Sequence, residues 1–331
     1  MQTTGFSHWL IVLVEVVATA GLLVLALIAV FLAVAWVIDR NQTGNAVLRN
    51  FPLIGHFRYW FLHLGEFFRQ YLYSNDREEL PFNRADRTWV YRAAQGAEVT
   101  RGFGSTRDLR TEGMPFFVNA AFPALAEEAH EVAPVTIGPY ARQPYSHAAF
   151  FNISAMSFGA LSAPAVRALS RGAGKAGIWM DTGEGGLAPY HLEGGCDIIF
   201  EIGTAKYGVR TPDGKLDDDK LKAVCAHQQV KMVSIKLGQG AKPGMGGLLP
   251  GAKVTPEIAA IRGIPVGEDS QSPNRHLDIS NTAELMDFIQ HVRGLTGLPT
   301  GFKAVFGSMG MIEELCAQVH QRGIESAPDF I

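Results

Sequence analysis

From Val16 to Ile38 the chain reads "VVATAGLLVLALIAVFLAVAWVI" without a charged residue. A helix apolar on every side cannot lie half-exposed on a soluble domain; it is either buried whole or placed in a membrane. Its length of roughly 34 Å is enough to cross a hydrocarbon core of about 30 Å. A cleaved leader would put basic residues before a shorter apolar stretch. Here "MQTTGFSHW" carries no Lys or Arg, so residues 1–45 are expected to be a retained transmembrane anchor. Arg40, Arg49 and Arg58 follow the span and none precedes it, which predicts a single pass with the C-terminal bulk facing the cytoplasm. Glu15, at the outer end, is within reach of headgroups.

Residues 46–149 read as a juxtamembrane and lead-in region. In "FPLIGHFRYWFLHLGEFFRQYLY", residues 51–73, the side chains Phe57, Trp60, Leu64, Phe67 and Tyr71 recur at helical spacing while His63, Glu66 and Gln70 share another face. That pattern suits a helix lying in the bilayer interface, and equally one packed against the rest of the protein. Residues 74–149 mix "NDREELPFNRADRTWVYR", a glycine-containing stretch and prolines. They contain no repeat or low-complexity tract and point to no chemistry.

From Phe150 short apolar runs alternate with helical patterns. "FFNISAMS", "GIWMDTG", "DIIFEIGT", "KMVSIKLGQG" and "GFKAVFG" read as strands. "APAVRALSRGAGKAG", "DDDKLKAVCAHQQV", "NTAELMDFIQHVRGLTG" and "MIEELCAQVHQRG" read as helices, the third capped by Asn281 or Thr282 and closed by glycine. Such alternation predicts parallel β/α units, and without a dinucleotide fingerprint a (β/α)8 TIM-type barrel is favoured over a doubly wound sheet. A net charge of −3 gives no basic surface for nucleic acid. Cys196, Cys225 and Cys316 have no metal-binding spacing and read as reduced, mostly buried thiols.

Polar residues gather where the strands end. "DTGEGG" puts Glu184 past the second strand, "KLGQGAKPGMGG" puts Lys236, Gln239 and Lys242 at and after the fourth, and Lys303 lies in the fifth. In a barrel these ends meet at one mouth. The set combines cations for an anionic ligand or reduced cofactor, an amide to orient it, and a carboxyl for proton movement. Each residue also has a plain structural reading. Glu184 could cap a helix or sit in solvent, Lys303 could belong to a structural ion pair, and strand alternation could turn Lys236 outward. "RGAGKAG" lacks the Ser/Thr after Lys175 and ends a helix, so it is not a phosphate loop. His191, His227, His276 and His291 lack ligand spacing and read as surface or hydrogen-bonded core residues. "LDDDK" reads as a solvated helix start.

"ISAMSFGALS", "TGEGG" and "QGAKPGMGGLLPGAKV" together resemble the FMN-binding synthase domain of glutamate synthase. The anchor, "NFPLIGHFRYW" and "ELPFNR" are similar to its membrane-anchored, single-domain relatives. The resemblance implies that Ala155, Met156 and Ser157 line the flavin, that Glu184 faces the reacting carbon of an imine, and that Lys303 lies by the flavin pyrimidine edge. It also implies that Lys236, Gln239 and Lys242 help hold flavin and 2-oxoglutarate. The implied reaction adds ammonia to 2-oxoglutarate and reduces the resulting 2-iminoglutarate to glutamate with a hydride from FMN. Ammonia would come from solution, a partner or an amino-acid donor. A cation beside the pyrimidine would offset the charge of the reduced ring.

Two departures from the family pattern modify these expectations. Met245 stands where the synthases carry Glu in "PGEGG", which loosens substrate identity and leaves open an oxidoreductase acting on a different or N-substituted amino acid. The chain ends at Ile331, about where a sixth barrel strand would begin. The expected architecture for residues 150–331 is therefore an incomplete, C-terminally truncated barrel, without the family's later phosphate loops or its iron–sulfur cysteine cluster. An open parallel edge favours pairing with another chain, hence homo-oligomers, and leaves open an inactive membrane protein or assembly partner. No fingerprint names an electron donor.

Overall fold

The structure is a computed structural model that describes residues 3–97, 108–114, 116, 118, 120–128, 130 and 132–331. Much of the glycine-containing lead-in, residues 98–107, lies outside them. The chain divides into two compact units, Met1–Pro123 and Ala124–Ile331.

In the first unit, helix α1 runs Thr3–Asn41. Its segment His8–Asn41 contains an 18-residue window with a mean hydropathy of 3.0, none of it buried, so by length and composition it could cross a membrane. Helix α2 (Ala46–Asn50) starts at Asn45, whose side chain accepts from the Val47 and Leu48 amides. Helix α3 (Ile54–Phe68) continues into a π-helical turn, Arg69–Tyr73. The predicted periodicity is realised there: Phe57, Trp60, Phe67 and Tyr71 are all more than half exposed, and Leu64 is half-buried. Helix α4 (Arg84–Ala94), not anticipated from the sequence, is capped by Asn83, whose side chain accepts from the Asp86 amide.

The second unit opens with an antiparallel hairpin, β1 (Val135–Ile137) with β2 (Tyr145–His147). Helix α5 (Ala163–Ala176) leads to β3 (Met180–Asp181), and the short α6 (Pro189–Leu192) to β4 (Ile198–Ile202). Helix α7 (Asp218–Cys225) leads to β5 (Val230–Lys236). An excursion follows, in which β6 (Leu248–Leu249), α8 (Pro256–Arg262) and β7 (Ser270–Gln271) form a small antiparallel pair around a helix. Helix α9 (Thr282–Thr296), β8 (Thr300–Lys303) and α10 (Gly310–Arg322) complete the unit. Strands β3, β4, β5 and β8 form one parallel sheet in chain order. Every step is a strand–helix–strand crossover, and the order never reverses as it does at the switch point of a dinucleotide-binding sheet.

Strand periodicity sorts the two faces. Ile198, Phe200, Ile202 and Val233 pack into the main core with Val166, Leu221 and Val292 from the helices. Ile235 and Phe302 join a second cluster with Leu285, Met286 and Ile289 of α9. On the other face Ile199 and Met232 pack with Tyr145 of the hairpin, which closes the N-terminal end of the sheet. Phe200 is fully buried. Phe200→Ala is expected to destabilise the unit by about 3–5 kcal/mol through lost transfer energy and a residual cavity, measurable by chemical denaturation in detergent.

Four sequence expectations are revised. "FFNISAMS" does not form a regular strand: Ile153 makes a single parallel bridge to Met180. Its backbone still follows β3 through Ile153 N to Trp179 O at 3.0 Å and Met156 N to Asp181 O at 3.1 Å. The ladder stops because β3 turns away at Gly183, leaving nothing further to pair with. Helix α7 is shorter than predicted, ending before "AHQQV". Cys316 is exposed on α10, whereas Cys196 is buried and Cys225 half-buried; all three are free. Burial pushes the Cys225 thiol up to about 12. Where a sixth strand was expected to begin, "DFI" runs beside β8, with Asp329 N bonded to Thr300 O at 3.1 Å and Phe302 N to Phe330 O at 3.2 Å, but it is not a regular strand.

Candidate functional site

Parallel register decides which polar side chains share a face. Asp181 pairs with Ile199, Glu201 with Ser234, and Lys236 with Lys303. Since facing residues and their i+2 neighbours lie on one side of a sheet, Asp181, Glu201, Ser234, Lys236 and Lys303 share the face that carries Ile199 and Met232. All stand at or near the C-terminal ends of their strands. Lys236 therefore does not turn outward.

Glu184 follows β3 in the loop Gly183–Gly186 and reaches this face. Its Oε1 accepts from Gln239 Nε2 at 2.5 Å, and its Oε2 lies 3.4 Å from Lys236 Nζ. Lys236 Nζ also donates to Gln239 Oε1 at 3.2 Å, so the three side chains form a closed ring of contacts. One strand further, Lys303 Nζ donates to Glu201 Oε2 at 2.5 Å. The Lys303 side chain is 43% exposed and that of Glu201 fully buried. The other Glu201 oxygen, Oε1, is buried without a hydrogen-bond partner among the described residues. Burial raises the Glu201 carboxyl against the opposing pull of Lys303. Burial and then the Glu201 charge push Asp181 up, to about 7.

Two glycines make the arrangement possible. Gly183 has φ +65°, and a Cβ there would stand 2.7 Å from the Ser157 backbone nitrogen. The "TGEGG" turn thus lies directly on Met156 and Ser157. Gly247 lies over the carboxylate itself, where a Cβ would fall 2.9 Å from Glu184 Oε1 and 3.2 Å from Gln239 Nε2. Beside this loop opens a cavity of about 450 Å³ lined by Gly244, Met245, Gly246, Ser272, Pro273 and Asn274. Met245 is exposed there.

Arg262, at the end of α8, is buried against the same turn. Its guanidinium donates to Ser270 Oγ at 2.9 Å and to Phe158 O at 3.3 Å, reaches Ser157 Oγ at 3.4 Å, and sits over the Tyr207 ring at 5.0 Å. Its Nε has no hydrogen-bond partner among the described residues. His276 Nε2 is 2.9 Å from Lys236 O, and burial followed by the Lys206 charge pushes its imidazole down to about 4. The neutral ring therefore supports the strand end that carries Lys236. His191 is likewise buried and held down by burial, between Met156 O at 2.9 Å and the Ala188 amide at 3.0 Å.

The structure therefore brings together Glu184, Lys236, Gln239 and Lys303, with half-buried Ala155, Met156 and Ser157 alongside. It leaves Lys242 exposed on the loop, with no ion pair or side-chain hydrogen bond among the described residues. Sequence reading missed Asp181, Glu201 and Arg262. Glu201 was detectable as an acid inside "DIIFEIGT", the same signal that singled out Lys303. Arg262 gave none, because a basic residue near a helix end is ordinary. Among the described residues no group of three or more His, Cys, Asp or Glu could hold a metal ion.

Residues 123–322 match the family described as a conserved region in glutamate synthase. The "Glutamate synthase large subunit-like protein YerD" of Bacillus subtilis is 36% identical over 347 residues, covering 93% of this chain and 65% of that protein. The "Archaeal-type glutamate synthase [NADPH]" of Thermotoga maritima is 40% identical over 152 residues, 45% of this chain and 27% of that protein. A "Glutamate synthase large subunit-like protein" of Rhizobium meliloti is 30% identical over 208 residues, 62% of this chain and 44% of that protein. The chain thus spans about two thirds or less of the length of these relatives.

Proposed function

Because this chain belongs to the glutamate synthase family, we propose that it carries the site of an FMN-dependent oxidoreductase that converts 2-oxoglutarate and ammonia, through 2-iminoglutarate, into glutamate. The observation behind this reading is the ring of Glu184, Lys236 and Gln239 one strand away from the Lys303–Glu201 pair. The donor set suits a flavin. Ala155–Ser157 offer backbone that follows β3, and Lys303 is a half-exposed ammonium at a strand end. The unpartnered Glu201 Oε1 marks a polar interior not yet satisfied by the protein. In this reading Ala155, Met156, Ser157, Lys236 and Lys303 hold the flavin, which when bound supplies the hydride.

The chain's own residues account for the remaining steps. Lys236 and Gln239 fix the Glu184 carboxylate, so its proton is given or taken in one place, which is the geometric requirement for general acid–base catalysis. Gln239, and Lys242 if its loop folds inward, help hold the dicarboxylate substrate. Arg262 adds a buried guanidinium with a free Nε–H beside the same turn, a chemistry suited to a carboxylate. Gly247 keeps room for ligand over Glu184. Exposed Met245 at the cavity rim favours a second reading, in which the site takes an N-substituted amino acid with an apolar group there.

The β3–β4–β5–β8 sheet is proposed to be one arc of a β/α barrel, since its order never reverses. Helix α1 is proposed as a membrane anchor and α3 as its interfacial companion, from the exposed apolar surface of both. One preparation tests these readings. Membranes carrying the full chain, washed with high salt and then solubilised, should retain it and yield a flavin spectrum, with FMN released on denaturation. A chain washed off by salt sinks the anchor. Failure to bind added FMN sinks the oxidoreductase reading in favour of an inactive or assembly role. Turnover of an N-alkylated amino acid but not of 2-oxoglutarate selects the second reading.

A further inference from the structure

Lys206 is buried, charged and outside the ring of Glu184, Lys236 and Gln239. It lies on the turn after β4, is 2% exposed, and donates from Nζ to Asp278 Oδ1 at 2.9 Å, 72 residues along the chain. Its backbone has φ +54°, and Leu53 is the only other described non-glycine residue with a positive φ. A side chain in this left-handed region is strained, and glycine would relieve it; a lysine stands there instead, and its side chain makes the long-range contact. Asp278 has no second ion-pair partner among the described residues. Glu284, Asp287 and His291 line a cavity beside it, His291 pairs with Asp218 at 2.9 Å, and Arg275 directs its Nη1 to the carbonyls of His276 and Ile279.

The segment that Lys206 grips bears on the site. Thr204 Oγ1, from the same turn, donates to Pro273 O at 2.7 Å. Residues 273–278 are therefore tied at both ends to one turn, with His276 between the ties. His276 Nε2 lies 2.9 Å from Lys236 O; a carbonyl only accepts, so Nε2 carries the ring proton and donates it. Lys236 is the last residue of β5, and Gln239 follows three residues later. A shift of that strand end moves both partners of Glu184 at once.

We infer that Lys206 is a positioning residue for the site: its ion pair with Asp278 clamps residues 273–278 to the turn after β4, seating His276 on the Lys236 carbonyl and, through it, the Lys236 ammonium against Glu184. Lys206 itself makes no hydrogen bond to Glu184, Lys236 or Gln239. Without its cation, Asp278 would share its cavity with the like charges of Glu284 and Asp287, which repel it. The clamp stands on these contacts; its consequence for turnover rests on the oxidoreductase reading.

NMR of the full chain labelled with 15N-histidine, in detergent at about neutral pH with no flavin added, reads the clamp directly. His276 should show a ring Nε2–H proton protected from water, assigned by its loss in His276→Gln. His191, whose Nε2 lies 2.9 Å from Met156 O, supplies a control of the same kind on another segment. In Lys206→Met the His276 proton should exchange with water roughly tenfold faster or disappear, while the His191 proton is unchanged. Lys206→Arg should keep both, since the half-exposed Asp278 side chain leaves room for a longer cation. An unmoved His276 proton in Lys206→Met overturns the inference. So does equal loss of both protons, which would make Lys206 a residue of general stability. If Lys206→Met does not fold, Asp278→Asn decides: it keeps an acceptor for the ammonium but removes the ion pair, and unchanged exchange at His276 again overturns the clamp. In a chain that turns over 2-oxoglutarate, Lys206→Met should lower kcat by roughly 10- to 10²-fold at unchanged FMN content, with Lys206→Arg restoring it. A loosened His276 with unchanged kcat overturns the positioning role. A parent chain without turnover removes the oxidoreductase reading and leaves the histidine protons to decide the clamp.

Discussion

Replacing Glu184 with glutamine is expected to lower glutamate formation by roughly 10²–10⁴-fold, the usual range for removing a positioned general acid or base. The change is nearly isosteric. The new amide oxygen can still accept from Gln239 Nε2, which now reaches Glu184 Oε1 at 2.5 Å. What disappears is the exchangeable proton and the charge facing Lys236 at 3.4 Å. Both side chains of that pair are less than one-fifth exposed, so the variant should lose no more than about 2 kcal/mol of stability, with Lys236 still able to meet an amide oxygen. The expected signature is unchanged FMN content with collapsed turnover. Turnover within threefold of the parent would show that Glu184 is a loop-stabilising residue and nothing more. Parallel loss of FMN and activity would place its role in assembling the site.

Removing Lys303 should have the largest structural effect of any substitution at the site. Lys303→Met leaves Glu201 fully buried with both oxygens lacking a partner. Breaking a buried pair on one side costs about 3–5 kcal/mol; the 43% exposure of the lysine side chain puts the expectation at the lower end, about 3 kcal/mol. The pH dependence follows from the direction in which Glu201 already moves. Burial raises its carboxyl above the unfolded value, and losing Lys303 raises it further. A raised carboxyl contributes stability that is present below its unfolded pKa and lost as pH rises through the folded one. Lys303→Met should therefore be least stable at alkaline pH and recover toward acid. Adding Glu201→Gln should restore much of the loss, because the buried charge is gone. Denaturation curves of the two single variants and the double variant at several pH values check this. A double variant no more stable than Lys303→Met would mean that packing of the lysine stem, rather than the charge pair, carries the effect.

Much of this architecture follows from periodicity alone. The apolar run ending at Ile38 dictates a long helix, because no polar stripe exists to seat it otherwise. Four of the five strand patterns from "FFNISAMS" to "GFKAVFG" became β3, β4, β5 and β8, since each is short, apolar and bounded by glycine or polar turns. Asn281 caps α9 through the Glu284 amide at 2.9 Å, as its residue type predicts. The short elements α6, β6, β7 and α8 left no readable signal, because they span too few turns for a period to show and are held by what surrounds them. The hairpin β1–β2 was illegible for the same reason.

The candidate site divides along the same line. Residue type was enough to single out Glu184, Lys236, Gln239 and Lys303, since charged and amide groups at glycine-rich strand ends stand out against apolar runs. Which of them meet was decided only by the tertiary structure. Parallel register sets Lys236 beside Lys303, and the turn at Gly183 swings Glu184 across to Lys236 and away from solvent. The excursion after β5 brings Arg262, far along the chain, to Ser157 at 3.4 Å. Pairing register, a left-handed glycine and a long-range packing contact are properties of neighbouring segments taken together. No single stretch of sequence contains them, so the chemistry of the face belongs to the fold.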